Sequence, residues 1–506
     1  MLTGTKTAIR AGKRALYFAH RWLGIITCIF CLIWFISGLV MVYVQFPAWT
    51  EAERLATLHP IDVEKIARTP DEALAVAGLK AQTTNVRLEM YGTEPVYRLG
   101  RGESTQAVSA VAGRLISSVS LDEARARLAS VYPEASIDYL GPVERDQWTV
   151  TRRFDGHRPL YLFTLGDRAG TNIYVSSKTG EIVQNSTYNE RFWNWLGAIP
   201  HWVYFTPIRT DGEFWRQAVM WLSGPLIIGG ITGLWIGILR LRLRRPYSRG
   251  RMTPYRGWMK WHHIGGLVGG VFLTTWIFSG WLSVNPFGFF ARTQFTLELK
   301  QRYTGAKSEF GIPISALKAA ARSPVTALEM NFVSGESLIV AKSSPQQKQL
   351  FDGATGTSRT LDPKRLTEAA EGLLPKAHLT RTEVLTEEDI YWYSHHHTRP
   401  LPVLRFVFDD ENATWIHIDP ATGDLAGLSD TSERTHRWLF NFLHDFDLPV
   451  LLRYQPARDI LIWMLSIAGI IISISGIVVG WRYLARKADQ RAMSATRQAL
   501  EAKSSS

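Results

Sequence analysis

The chain has 506 residues, 46% hydrophobic and 12% aromatic, enough for several domains and for large buried apolar surfaces. A formal charge of +12 would suit a nucleic-acid binder, but the basic residues gather beside apolar runs, which argues against that class. Cysteine occurs only at Cys28 and Cys31, which excludes a disulfide-stapled scaffold.

Taken in order, residues 1–19 form a basic N-terminus with Lys6, Arg10, Lys13 and Arg14. A first predicted span covers 20–45, which overlaps the charge-free stretch Trp22–Thr50 from Trp22 onward. It exceeds a signal-peptide core and no small-residue cleavage site follows it, so it is expected to be retained. Cys28 and Cys31 share one face of this span and read as small buried residues rather than a redox pair. Residues 46–189 read as an α+β domain and 190–214 as an aromatic interfacial region. A second span follows at 215–240 and a basic loop at 241–260, where Arg242, Arg244, Arg245, Arg249, Arg251, Arg256 and Lys260 occur without one acidic residue. The third span is 261–286, the second α+β domain 287–432, the second interfacial region 433–457, the fourth span 458–483 and the tail 484–506. Each span is long enough for a hydrocarbon core of about 30 Å, which a helix of about 20 residues crosses. Basic residues flank the N-terminus, the loop and the tail, so these are expected in the cytoplasm and the two long segments on the other side. The loop is also expected to meet anionic headgroups.

The chain is written twice. "WFISGL" at Trp34–Leu39 matches "WIFSGW" at Trp276–Trp281 at an offset of 242, which also carries His20 onto His262 and Gly24 onto Gly266. "IYVSSKTGEI" at Ile173–Ile182 matches "IHIDPATGDL" at Ile416–Leu425 at 243, and that offset takes His201 to His444, Gly233 to Gly476 and Gly237 to Gly480. "RPL" at Arg158–Leu160 recurs at Arg399–Leu401, shifted by 241. The expected architecture is an α-helical four-helix transmembrane core with two α+β exported domains, related by an internal parallel two-fold repeat. The "TG" pairs at 179–180, 355–356 and 422–423 mark turns beside alternating strands, and "SLDEARARLASVYPEA" and "KRLTEAAEGLLPKA" read as amphipathic helices.

The repeat sorts the 13 histidines. His20 and His262 each open a span on the cytoplasmic side, whereas His201 and His444 each precede a span on the exported side. Imidazole is costly at membrane depth and tends to mark a functional site there. Neutral imidazole is an axial ligand for haem iron, and a four-helix core can hold a porphyrin between facing helices. Zinc would want four tetrahedral ligands, and each level offers two. Glycines 24, 197, 265, 266, 269 and 270 would let a flat ring approach, and Arg21, Lys260, Arg209 and Arg453 could pair with its propionates or anchor the interface. His262 and its neighbour His263 both remain candidates for the same ligand.

"HRWLG" at the first span, "WHHIGGLVGGVFLTTWIFSGW" at the third and "FLHDFDLPVLLRYQPARDILIWMLSIAGIIISISGIVVGWRYL" at the end resemble the PepSY-associated transmembrane family. Within it they are similar to iron-regulated inner-membrane proteins that include siderophore reductases. The resemblance implies PepSY-type domains facing the periplasm of a bacterial inner membrane, two haem b groups, and electron delivery to a ferric siderophore with release of Fe(II). It implies His20, His262, His201 and His444 as the haem-linked histidines, with His263 as a weaker addition.

The exported domains would then offer the docking surface, and "YWYSHHHTRPL" at Tyr391–Leu401 is the most suggestive loop. His395 and His397 fall on one side of an extended segment. They are candidate contacts for an iron chelate, with Arg399 and its counterpart Arg158 attracting an acidic ligand, although a structural Arg-Pro turn fits equally. The cytoplasmic portions have no G-x-G-x-x-G after a strand, so a membrane quinol or a separate reductase is the expected electron donor. Two other classes stay open. A non-enzymatic anchor or sensor has no use for paired histidines, and a transporter of iron or its chelate calls for broken or ionisable midplane segments.

Overall fold

The computed structural model describes residues 2–102, 104–291, 294–305, 307–395 and 398–504. The chain divides into a helical unit, Met1–Gln45, Trp193–Phe289 and His436–Ser506, and an α+β unit, Phe46–Phe192 and Phe290–Thr435.

The helical unit is built on four long helices, Leu2–Tyr43, Gly212–Arg240, Trp258–Leu282 and Gln455–Ser504. Each contains a stretch long and apolar enough to cross a membrane. Cys31, Phe35, Leu226, Leu273 and Ile277 are buried between them, while Ile26, Trp221, Ile231, Val268 and Ile467 stay exposed on the outside. That inversion is what a lipid-facing bundle requires. The aromatic segments between spans form shorter pieces. Tyr188–Leu196 and Ala198–Trp202 are α-helical. Thr431–His436 is α-helical and runs into a π-helix, Arg437–Asp445.

The α+β unit holds fifteen described strands in three sheets. The first seven-stranded sheet joins both halves of the chain. It contains β1 (Asn85–Tyr91), β2 (Glu94–Arg101), β3 (Ser104–Ser109) and β4 (Leu115–Ile116) from the first segment. Two four-stranded sheets complete the unit. One is β5 (Asp138–Val143), β6 (Leu160–Thr164), β7 (Asn172–Ser176) and β8 (Ile182–Ser186). The second segment then adds β9 (Ala327–Val333), β10 (Glu336–Lys342) and β11 (Lys348–Asp352) to the large sheet. The last sheet is β12 (Leu379–Leu385), β13 (Val403–Phe408), β14 (Trp415–Ile418) and β15 (Leu425–Ser429). The large sheet runs β11-β10-β9-β1-β2-β3-β4, so β1 and β9 are direct antiparallel neighbours, with Val86 opposite Met330 and Arg87 opposite Glu329.

Alternation dictates the two faces of that sheet. Val86, Leu88, Tyr97, Leu99, Leu328, Met330 and Ile339 share one apolar cluster. The opposite face carries Glu89, Arg98, Glu329 and Lys342 across the β1–β9 seam. Arg98 lies 3.1 Å from Glu89 and Lys342 2.7 Å from Glu329, while Arg54 reaches Glu89 at 2.7 Å. To either side of the charges this face is apolar again. Val96 and Ala107 join Phe163 and Val175 of the first four-stranded sheet, and Leu338 and Val340 join Phe406 and Ile416 of the second. The two expected amphipathic helices are Leu121–Val131, with a Ser120–Glu123 capping box, and Pro363–Glu371. The "TG" glycines 180, 356 and 423 all take positive φ, as tight turns require.

Candidate cofactor-binding site

The helical unit brings His20, His262, His201 and His444 together as two pairs. His20 of the first long helix and His262 of the third have ring centroids 6.2 Å apart, and those of His201 and His444 are 6.1 Å apart. Two imidazoles sharing one metal, each with a bond of about 2 Å and a ring nitrogen about 1 Å from its centre, would lie about 6 Å apart. Both pairs therefore have the spacing of two ligands on one ion.

The hydrogen bonds set the tautomers. His20 Nδ1 lies 3.0 Å from the Gly229 carbonyl and His262 Nδ1 3.2 Å from that of Ile472. His201 Nδ1 lies 3.1 Å from the Trp34 carbonyl and His444 Nδ1 3.2 Å from that of Trp276. A carbonyl can only accept, so each Nδ1 carries the proton and each Nε2 keeps its lone pair. A ligating histidine is commonly held in this way, its second nitrogen donating to a carbonyl.

One device receives all four rings. Three residues after each accepting carbonyl stands a hydroxyl, Thr232, Ser475, Ser37 or Ser279. The three serines lie 3.1–3.2 Å from Nδ1, and Thr232 lies at 3.5 Å. Each serine gives its own proton back to that carbonyl, and Thr232 shares its proton between the carbonyls of Ile228 at 2.8 Å and Gly229 at 3.0 Å. One residue further stands a glycine, and a Cβ added there would meet the ring's Cε1. The distance is 2.7 Å at Gly233, 3.0 Å at Gly280, 3.2 Å at Gly38 and 3.3 Å at Gly476. A side chain one turn beyond the carbonyl would block the ring's approach, and glycine removes it. The sequence had shown Ser37 and Ser279 only within the matching strings "WFISGL" and "WIFSGW", and Gly233 and Gly476 only as a matched pair. It did not reveal the hydroxyl–glycine pair, because Ser223–Gly224 in the second span has the same form.

The two pairs reach this arrangement by different backbones. His20 and His262 project from uninterrupted helices. His201 follows a break at Gly197, and His444 lies on the π-helix. Two residues beyond each, Val203 (φ 56) and Phe446 (φ 50) adopt the left-handed conformation. That costs a non-glycine residue roughly 1–2 kcal/mol and is worst for a β-branched one, a kind of strain that gathers at functional sites.

A cavity of about 400 Å³, the scale of cofactor pockets, adjoins the His20–His262 pair. Gly24 and Gly266, one turn beyond the two histidines, line it, and a Cβ added to either would meet nothing within 4 Å. These two glycines leave room for a flat ring. The other glycines singled out are spent on packing, Gly265 on Ile472, Gly269 on Ala468, Gly270 on Leu234 and Gly197 on Val40. Arg21 lines the cavity and is held by the Tyr483 hydroxyl at 3.0 Å. Arg209 lies over Tyr204 and Trp215, Arg453 ends the short helix Pro449–Arg453, and Lys260 lies in the first turn of the third long helix, which begins two residues before the expected loop ends. His263 is buried and lies with its Nε2 3.0 Å from the Gly237 carbonyl, so it is His262 that pairs with His20.

The α+β unit treats its candidate residues differently. Arg158 is buried. Its guanidinium pairs with Asp155 at 2.8 Å and donates to the carbonyls of Glu144, Thr149 and Thr151, so it is taken up inside the domain. It is also not the structural counterpart of Arg399. β6–β7 and β13–β14 pair in identical register at an offset of 243, with Tyr161 opposite Val175 and Leu404 opposite Ile418. Arg158 therefore matches Leu401, and the shift of 241 in "RPL" comes from the loops. Arg399 is exposed and lies over the Trp392 ring at 4.6 Å; His395 is half-buried. His397 lies outside the described residues. Trp392 stacks on His417 at 4.2 Å, and Arg405 Nε donates to His417 Nε2 at 2.9 Å. Burial and the Arg405 charge hold this imidazole neutral, its pKa pushed down to about 3.

No curated protein matches the chain. The family model described as the PepSY-associated TM region matches residues 17–330, a span that includes His20, His201 and His262. This membrane protein with α+β parts therefore belongs to the PepSY-associated TM family.

Proposed function

We propose that the chain is a di-haem b reductase of a bacterial inner membrane, carrying electrons across the bilayer to a ferric siderophore in the periplasm. The observation that carries this reading is the fourfold histidine geometry. Two imidazole pairs have metal-sharing separations, and every Nδ1 proton is given to a carbonyl so that every Nε2 is available. His20 and His262 would hold one group and His201 and His444 the other. Bound there, haem supplies a one-electron centre at each level. The residues of the chain do the rest. The hydroxyls and carbonyls fix the rings, Gly24 and Gly266 leave a flat slot, and the apolar helices keep water from the site.

Placement of the termini and basic loop in the cytoplasm, with the α+β unit in the periplasm, is supported by the positive charge around the spans. The parallel two-fold repeat is supported by the offsets of 242 and 243 that relate the histidines, their glycines and the strand registers. The substrate reading is that one electron converts a chelated ferric ion to Fe(II), which a ferric-selective chelator releases. Arg399 and His395 are the proposed contacts for an acidic chelate. A membrane quinol or a separate reductase supplies the electrons.

The test is an absorption spectrum of detergent-purified full-length protein, oxidised and dithionite-reduced, with a pyridine haemochrome to count haem. A low-spin b-type spectrum with two haems per chain, reoxidised by added ferric siderophore, is expected. A colourless protein made with ample haem would overturn the proposal and favour an anchor or a transporter.

A further inference from the structure

A second cavity of the helical unit, about 420 Å³, lies within the basic loop between the second and third long helices. Arg249, Arg251, Arg256 and Lys260 line it, and no acidic residue does. Arg251 is tethered to Ser248, its Nε donating to the carbonyl at 3.1 Å and its Nη2 reaching the hydroxyl at 3.3 Å. Arg249, Arg256 and Lys260 have no carboxylate partner among the described residues. Several like charges around one hollow repel each other unless an anion sits among them.

The loop is folded rather than splayed. Tyr247 N–H donates to the Arg251 carbonyl at 2.8 Å and Arg242 N–H to that of Met252 at 3.0 Å. The Arg242 guanidinium lies 4.3 Å over the Tyr247 ring. Arg249 itself takes φ 64, a conformation disfavoured for any residue with a Cβ. A loop whose only task was to keep positive charge on one side of a membrane would need neither the hollow nor that backbone.

We propose that this hollow binds the phosphate of an anionic phospholipid, with the lipid's carbon chains along Met252 and Ile264. Two features favour a lipid over free phosphate. Apolar residues share the lining with the cations. The hollow also lies at the ends of two membrane-crossing helices, the depth at which headgroup phosphates are concentrated. The site does not depend on haem, and Tyr255, which lines both cavities, is its wall toward the histidine pair.

Native mass spectrometry of the full-length protein, exchanged into phosphatidylglycerol or phosphatidylcholine and then stripped, reads the site directly. One tightly retained phosphatidylglycerol is expected, preferred over phosphatidylcholine by roughly tenfold. The double variant Arg256→Gln, Lys260→Gln should lose that preference, and Lys260→Arg should keep it. Competition between the two lipids on unmodified protein gives the same answer without any substitution. Equal retention of both lipids would overturn the proposal. Displacement of the lipid by millimolar inorganic phosphate would reassign the hollow to a soluble anion.

Discussion

The paired histidines of the helical unit are half-buried, and His417 of the α+β unit is buried outright. In the helical unit, His20, His201, His262 and His444 give Nδ1–H to a carbonyl and keep the Nε2 lone pair. In the α+β unit, His417 is more deeply buried, at 2% exposure, but spends Nε2 on Arg405 and its ring face on Trp392. The difference teaches that burial alone does not mark a ligand. What matters is which nitrogen the fold has already used.

The largest test of that distinction is removal of the rings. His20→Ala or His262→Ala should each remove about half of the bound haem, and His201→Ala or His444→Ala the other half, whereas His417→Ala should remove none. The pyridine haemochrome measures all five, and complete loss from a single substitution would break the two-site reading.

The receiving glycines sharpen it. Gly233→Ala, with a new Cβ 2.7 Å from His20, should weaken haem retention most, by roughly tenfold. Gly280→Ala, Gly38→Ala and Gly476→Ala should follow in that order of clearance. An order unrelated to clearance would mean that the rings move freely.

His417 should show its burden in the pH dependence of folding. Its folded pKa is depressed to about 3 by burial and Arg405, while an unfolded ring protonates near 6.5. Below 6.5 the unfolded chain takes up a proton that the fold refuses, so stability falls as pH falls through that window. His417→Gln keeps an acceptor for Arg405 and should cut this loss by about 2 kcal/mol at pH 5. Unchanged acid sensitivity in thermal melts would contradict the assignment.

The smallest effect concerns the hydroxyls. Ser37→Ala or Ser279→Ala leaves the carbonyl bond in place and should cost about 1 kcal/mol of haem binding. Redox titration provides a second readout, since the hydrogen bond on Nδ1 tunes ligand basicity. Loss of that haem, as expected for His201→Ala, would show that the serine is more than an orienting group.

Much of the site was legible because sequence motifs recur at offsets of 242 and 243. A single histidine carries little information, but His20 matched to His262 and His201 matched to His444 carry more. The receiving pairs were illegible because hydroxyl–glycine is a common dipeptide, and only a ring seated against it distinguishes Ser475–Gly476 from Ser223–Gly224. The π-helix at His444 was equally hidden, as its apolar pattern also fits an α-helix. Arg158 misled because two loop residues displaced "RPL" from the strand register. In the fold, the alternating strands beside the "TG" turns were legible, whereas the pairing of β1 with β9 was not, since it depends on contacts far apart in sequence.

That pairing bears on how the protein is made. Until β9 leaves the ribosome, β1 is a bare edge with Val86 and Leu88 lacking part of their apolar cover. The first half of the chain is thus an incomplete object rather than a small version of the whole. A gene cut between the second and third long helices should yield fragments that are degraded when expressed singly and rescued when expressed together, because each then lacks the strand that completes the shared sheet.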